Sequence, residues 1–89
     1  MPKFSLGRLV ATPGALSELE RVGVSPEELI NRHGQLDQGA LDAHDHKLNL
    51  VAVEHGDRVF SSFVYSGVKF WVITEWNRSQ TTMMLPEEY

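Results

Sequence analysis

The sequence contains no cysteine. Neither a disulfide framework nor a thiolate metal site can therefore reinforce the fold, which fits a reducing compartment. No stretch approaches the roughly 20 apolar residues of a membrane span. The first residues also lack the apolar run of about 7 to 15 residues that a signal peptide carries. We therefore expect a cytoplasmic protein with no membrane contact.

The sequence also lacks clusters of positively charged residues. Eight Lys and Arg residues stand against twelve Asp and Glu residues, which gives a net charge of -4. The basic residues are scattered singly, whereas binding to nucleic-acid phosphates normally needs Lys and Arg in clusters. The sequence therefore argues against a nucleic-acid partner.

The glycine and nucleophile motifs of common enzymes are also absent from the sequence. It has no P-loop, no G-x-G-x-x-G pattern and no G-x-S-x-G elbow. A chain of 89 residues has a small core and rarely spares the pocket of several hundred Å³ that catalysis uses. We expect a protein without catalytic residues, cofactor or small-molecule substrate.

The pattern of apolar residues predicts one domain over residues 1–89, helical over about 12–55 and extended over about 58–86. A short strand at 7–12 is also compatible with the sequence. Three stretches rich in β-branched and aromatic residues follow the helical part, at 58–65, 68–75 and 80–86.

Two short helices have clear start and stop signals. Thr12 is suited to cap the first helix, Pro13 fits its first position, and Gly23 offers a left-handed stop. Ser25 caps the second helix, which ends at Gly34. The two helices follow one another in tight sequence.

A third helix is predicted over residues 41–56. Asp42 can cap this segment, and His55 lies in its last turn, where a cation favours the helix dipole. With Ser66-Gly67 as a hairpin loop after it, the sequence predicts an α+β fold. In that fold, two or three short helices pack on a C-terminal three-stranded antiparallel β-meander.

Both faces of the predicted hairpin are apolar, although a sheet with helices on one side should alternate apolar and polar residues. The second face should therefore be covered by a wrapping helix, a second copy or another protein. The last strand is expected to be an edge open to pairing. One face carries Val59, Phe63, Tyr65, Val68, Phe70 and Val72, and the other carries Phe60, Val64, Trp71 and Ile73.

The string His44-Asp45-His46 is the most metal-like in the chain. On a helix its two histidines point about 200 degrees apart, so they cannot share a metal as they would on a strand. A site would also need a ligand from elsewhere, such as His33 or His55. We expect no metal. A deep pocket lined by His44, His46 and Glu54 would instead favour an enzyme.

The loop around residues 75–79 has two interpretations. In the structural one, Asn77 tolerates turn geometry, and Glu75 with Arg78 makes an exposed ion pair worth under about 1 kcal/mol. In the functional one, Trp76 and Arg78 are partner contacts, because Trp and Arg dominate binding hot spots. The candidate partner-binding residues are Trp76, Arg78, Glu75 and Asn77 in the loop, with Phe63 and Phe70 from the sheet.

Three motifs carry a resemblance to a known family: LGRLVATPGAL, SPEELINRH and the terminal W-x-I-T-E-x-x-R-S-x-T-T-x-x-L-P-x-E-Y, which runs from Trp71 to Tyr89. Over nearly its whole length the chain resembles small acidic proteins encoded on bacterial plasmids and other mobile elements. Some members are called a type I restriction methylase subunit, although this chain has no cofactor-binding glycine motif. Trp76 departs from the family pattern, which has a small residue there.

The resemblance implies an accessory protein of a mobile element, and two roles stay open. One is a protein-binding inhibitor of a host defence nuclease, either anti-restriction or anti-CRISPR, that acts by occlusion. The other is a homodimeric plasmid-maintenance or regulatory module that buries its second sheet face against its own copy.

Overall fold

The computed structural model describes residues 4–36 and 56–89. The elements in that part are a sheet, two helices on one of its faces, and a terminal 3₁₀ turn. In chain order they are β1 (Arg8–Ala11), α1 (Pro13–Val22), α2 (Pro26–Gly34), β2 (Val59–Tyr65), β3 (Val68–Thr74), β4 (Gln80–Met84) and the turn Pro86–Glu88.

The two helices begin where their capping residues predict. The side chain of Thr12 accepts a hydrogen bond from the backbone N–H of Ala15, and Gly23 ends α1 at φ 76 in the left-handed region. Ser25 accepts from the N–H of Glu28 at the start of α2. Neither helix has the length and apolar character that crossing a membrane requires.

The hairpin of β2 and β3 is confirmed in position and register. Its two turn residues, Ser66 and Gly67, have φ values of 51 and 78, and positive φ at both central residues is the geometry that matches the twist of the flanking strands. Phe60 lies opposite Ile73 across the ladder. The predicted separation of the two hairpin faces therefore holds.

The predicted three-stranded antiparallel meander is wrong, because the sheet has four strands in mixed orientation. Their order is β1-β4-β3-β2, and β1 runs parallel to β4. Arg8 N–H donates to Ser79 O and Thr12 N–H donates to Met83 O, each at 3.0 Å. This pairing joins segments about seventy residues apart, and local periodicity contains no signal for it.

The position of β4 also corrects the expectation that the last strand is an open edge. β4 lies between β1 and β3, so its backbone is paired on both sides. In the described part of the chain the edges are β1 and β2.

The core lies between the two helices and one face of the sheet, the covered face. Leu19 of α1 and Leu29 of α2 pack there against Phe63, Phe70 and Val72. The opposite face, the aromatic face, carries the alternate residues of β2 and β3. These are Phe60, Ser62, Val64, Lys69, Trp71 and Ile73.

The third predicted helix, over 41–56, falls almost wholly outside the described residues. The same holds for its candidate metal and pocket residues His44, His46, Glu54 and His55. Those predictions remain predictions.

Candidate functional site

A buried histidine of α2 lies against the covered face, near the end of β3. His33 follows Leu29 by one helical turn and has no exposed surface. Its Nδ1 lies 2.6 Å from Ser61 Oγ, and its Nε2 lies 2.8 Å from Thr74 Oγ1. Both ring nitrogens are therefore bound to hydroxyls, so neither is available to bind a metal in this conformation.

The hydrogen bonds continue across the sheet. Thr74 and Thr81 lie opposite each other in the ladder, with their hydroxyl oxygens 2.6 Å apart. The hydroxyl of Thr81 donates to the carbonyl of Leu6 at 2.7 Å. We call His33, Ser61, Thr74 and Thr81 the hydroxyl network.

Counting protons fixes the direction of the bonds from His33 Nε2 to Leu6, and for a neutral ring it fixes the bond to Ser61 as well. A hydroxyl has one proton to donate. Thr81 gives its proton to Leu6, so it accepts from Thr74, and Thr74 in turn accepts from His33 Nε2–H. His33 Nδ1 is then left to accept from Ser61. The network is fully satisfied with a neutral imidazole carrying its proton on Nε2.

The environment of His33 also favours the neutral form. Burial is the main cause that lowers the pKa of His33 to about 4, and the positive charge of Arg78 adds to it. A serine hydroxyl against a histidine resembles a nucleophile and its base. Because Ser61 and His33 are both fully buried, no substrate reaches them in this conformation, and we interpret the pair as structural.

The loop between β3 and β4 has a different backbone from the one expected. Arg78, not Asn77, takes the left-handed conformation, with φ 59. The Asn77 side chain accepts from Ser79 N–H at 3.0 Å. Arg78 donates to the carbonyl oxygens of Asp57 and Glu75, which holds this unusual conformation in place.

The charge pairing in this loop also differs from the prediction. The carboxylate of Glu75 lies 3.9 Å from the guanidinium of Arg58 rather than pairing with Arg78. The guanidinium of Arg78 lies 5.6 Å from the ring centroid of Phe4. Trp76 is 65% exposed. Of the loop candidates, Arg78 and Asn77 have structural contacts, and Trp76 keeps a free surface.

The two sheet candidates lie elsewhere. Phe63 and Phe70 face the helices and have no exposed surface. They are core residues, because they sit on the face that α1 and α2 cover. They therefore offer nothing to a partner in this conformation and do not belong to the loop surface.

The aromatic face carries a groove bordered by three aromatic rings. The rings of Phe60 and Trp71 meet edge to face at 5.1 Å, and Trp71 meets Tyr89 at 5.7 Å. Arg58 donates to the Tyr89 hydroxyl at 3.2 Å. With Ile73 these four residues line about 350 Å³. We call them the aromatic groove.

The position of Tyr89 depends on the residue before it. The carboxylate of Glu88 accepts from the Thr12 hydroxyl at 2.5 Å, from Gly14 N–H at 3.2 Å and from Leu85 N–H at 2.9 Å. The bond from Thr12 is the main cause that lowers the pKa of Glu88. Glu88 thus fastens the terminal turn to the start of α1 and fixes one wall of the groove.

Sequence reasoning missed the hydroxyl network and the roles of Arg58 and Tyr89. A signal for the network was present, because Ser61, Thr74 and Thr81 occupy core-facing positions where an apolar residue is usual. The roles of Arg58 and Tyr89 depend on tertiary structure alone. Among the described residues, no three acidic, histidine or cysteine side chains gather as a metal site would require.

No family model, no curated protein and no solved structure matches this chain.

Proposed function

We propose that this is a non-enzymatic, cytoplasmic protein that binds another protein through the aromatic groove and the neighbouring Trp76. The observation that supports the proposal is the groove itself, in which three aromatic rings and an arginine border one exposed depression on a sheet face. Interfaces are enriched in these residue types, and a few of them supply most of the binding energy.

The exposure of these side chains supports the same conclusion. Tyr89 is 70% exposed and Trp76 is 65% exposed. Large aromatic side chains that stay in water lose the stabilisation that their burial would give. The pair of Arg58 with Glu75 puts the Trp76 loop at the groove end of the sheet, so one partner can contact both.

A narrower proposal follows from the resemblance of the terminal motif. The partner is then a host defence nuclease of a restriction or CRISPR system, which the protein inhibits by occluding a functional surface of the nuclease. A net charge of -4 suits a partner with a basic surface, such as a protein that binds nucleic acid.

The test is to capture partners with tagged protein from a bacterial lysate and then to assay the purified partner. We expect Tyr89→Ala and Trp76→Ala to lose the partner while keeping the fold. Val64→Ala is the matched control, because Val64 is 50% exposed on the same face and does not line the groove. If the partner is still captured by both aromatic variants, it does not bind through the aromatic groove and Trp76.

The homodimer is the second candidate, and the exposed Val64 favours it because it extends the apolar surface beyond the groove. A symmetric dimer would bury the same face of both copies. We then expect a mass in light scattering that rises with concentration and returns to the monomer value in Val64→Lys. A monomer mass at all concentrations removes this candidate.

A further inference from the structure

The outer edge of β1 has unpaired backbone groups in the part of the chain that the structure describes. Arg8 and Thr12 direct their N–H groups at β4. Backbone groups alternate in direction along a strand, so those of Leu9 and Ala11 point away from β4. In the described sheet, β1 has β4 as its one neighbour.

A second groove runs beside this edge. It has a volume of about 410 Å³, within the range of about 300 to 1,000 Å³ that ligand pockets occupy. Leu9 is 54% exposed at its border. We call it the strand-edge groove, and its lining residues are Leu9, Pro26, Glu27, Ile30, Asn31 and Met83.

We propose that the β1 edge and the strand-edge groove together bind an extended peptide segment of a partner protein, which adds a fifth strand to the sheet. The unpaired groups of Leu9 and Ala11 supply the ladder hydrogen bonds. An apolar side chain of the peptide enters the groove. A lysine or arginine beside it pairs with Glu27.

The sheet register supports this arrangement. Leu9 lies opposite Thr81 and Ala11 opposite Met83, and both of these β4 residues belong to the covered face. A residue of the added strand opposite Leu9 therefore directs its side chain to the same face, where α2 stands. Alternate peptide residues would enter the groove and the others would face solvent.

Charge decides which peptide fits. Glu27 is exposed and lines the groove, and the chain as a whole has a net charge of -4. Glu27 is the charged residue in the groove lining, so a basic residue of the peptide gains attraction there. The occupant is thus an extended apolar segment with a basic residue. It lies beside β1, while the aromatic groove is built on β2 and β3.

The probe is a fluorescein-labelled heptapeptide with a central leucine, threonines and valines around it, and a lysine near each end. We expect it to bind and to slow amide hydrogen exchange at Leu9 and Ala11. Exchange at Arg8 and Thr12 should not change, because their N–H groups are already bonded. A probe with N-methylated central amides keeps the side chains, loses the donors and should not bind.

Variants separate the backbone contribution from the groove. Ala11→Pro removes one outward donor at a position where an edge strand tolerates proline, and binding should weaken by about tenfold. Leu9→Ser should weaken it by a similar factor, with Val64→Ser as the matched exposed control. Glu27→Lys should reverse the preference to a probe with glutamates in place of lysines, and Glu20→Lys on α1 should not.

Several results would overturn the proposal. These are no binding of the lysine probe, equal binding of the N-methylated probe, and unchanged exchange at Leu9 and Ala11 on binding. Self-association of the protein through Leu9 would assign the edge to a second copy and overturn it as well. Tyr89→Ala should leave probe binding unchanged, so failure here is distinguishable from failure of the aromatic groove. If Ala11→Pro does not fold, the N-methylated probe still decides the question.

Discussion

The two faces of the sheet reverse the usual distribution of side chains. The covered face hides three hydroxyl groups and the α2 histidine that packs on it, whereas the opposite face carries a groove with the half-buried Trp71 and the exposed Tyr89. Each hydroxyl and each ring nitrogen of the hydroxyl network is hydrogen-bonded, so the stability of the fold is enough to explain why those polar residues are buried. Folding alone does not explain the exposed aromatic rings, which is why we assign the contact surface to their face.

The largest expected difference between the two faces is in unfolding free energy, when one aromatic ring is removed from each face. Phe63→Ala leaves a cavity in the core and should cost about 3 to 5 kcal/mol of unfolding free energy. Phe60→Ala, on the half-buried aromatic face, should cost clearly less. Urea unfolding of both variants measures this, and equal losses would show that the aromatic face is as much core as the covered one.

The second-largest expected effect is a loss of folding stability at low pH, caused by protonation of His33. Its folded pKa of about 4 lies below the ordinary 6.5, so the unfolded chain binds the proton more readily. Its contribution to stability is therefore complete above about pH 6.5 and is lost as pH falls toward 4, by about 3 kcal/mol.

His33→Gln provides the control for that titration, because it removes the ionisable ring and leaves the other histidines in place. The difference between the two proteins in chemical denaturation should shrink as pH falls from 6.5 to 4. A constant difference would mean that His33 does not titrate in this window.

A smaller effect is expected from one hydroxyl of the network. Thr74→Val keeps the shape but leaves His33 Nε2–H without an acceptor, which costs about 1 to 3 kcal/mol. Thr82→Val is the matched control, because Thr82 lies opposite Ile73 on the aromatic face and is partly exposed. We expect it to change stability by less than about 0.5 kcal/mol. Similar losses of stability in the two variants would contradict the hydrogen bonding that we describe for the hydroxyl network.

The smallest effect should follow from Glu88→Gln. The carboxylate has a lowered pKa, so its contribution is present above about pH 4.5 and is lost as pH falls below it. We expect a slightly lower Tm at pH 7 and no difference from the unchanged protein in strong acid. NMR shifts of the Tyr89 ring should move as well, since Glu88 holds the turn that places it.

Local chemistry made part of this fold predictable. Thr12 and Ser25 mark the helix starts, and the Ser66-Gly67 turn fixes the hairpin register. Each of these signals acts within a few residues, which is the range over which sequence patterns are informative.

What could not be predicted depends on long-range pairing. A short strand at 7–12 was compatible with the sequence, but nothing in those residues indicates a parallel partner at Gln80. The candidate site shows the same contrast between local signals and long-range packing. Trp76 was proposed as a contact from its residue type, whereas Arg58 and Tyr89 join the groove only after the terminal turn has packed.

The pairing of β1 with β4 also determines when the protein can fold during synthesis. Arg8 emerges from the ribosome long before Gln80, its partner in the ladder. Until then β1 has no strand beside it, and the Leu6 carbonyl has no Thr81 hydroxyl to accept from. The covered face is thus completed late, and contacts between such distant segments make folding slow. A nascent chain that stalls before β4 would expose β1 to whatever extended segment is near.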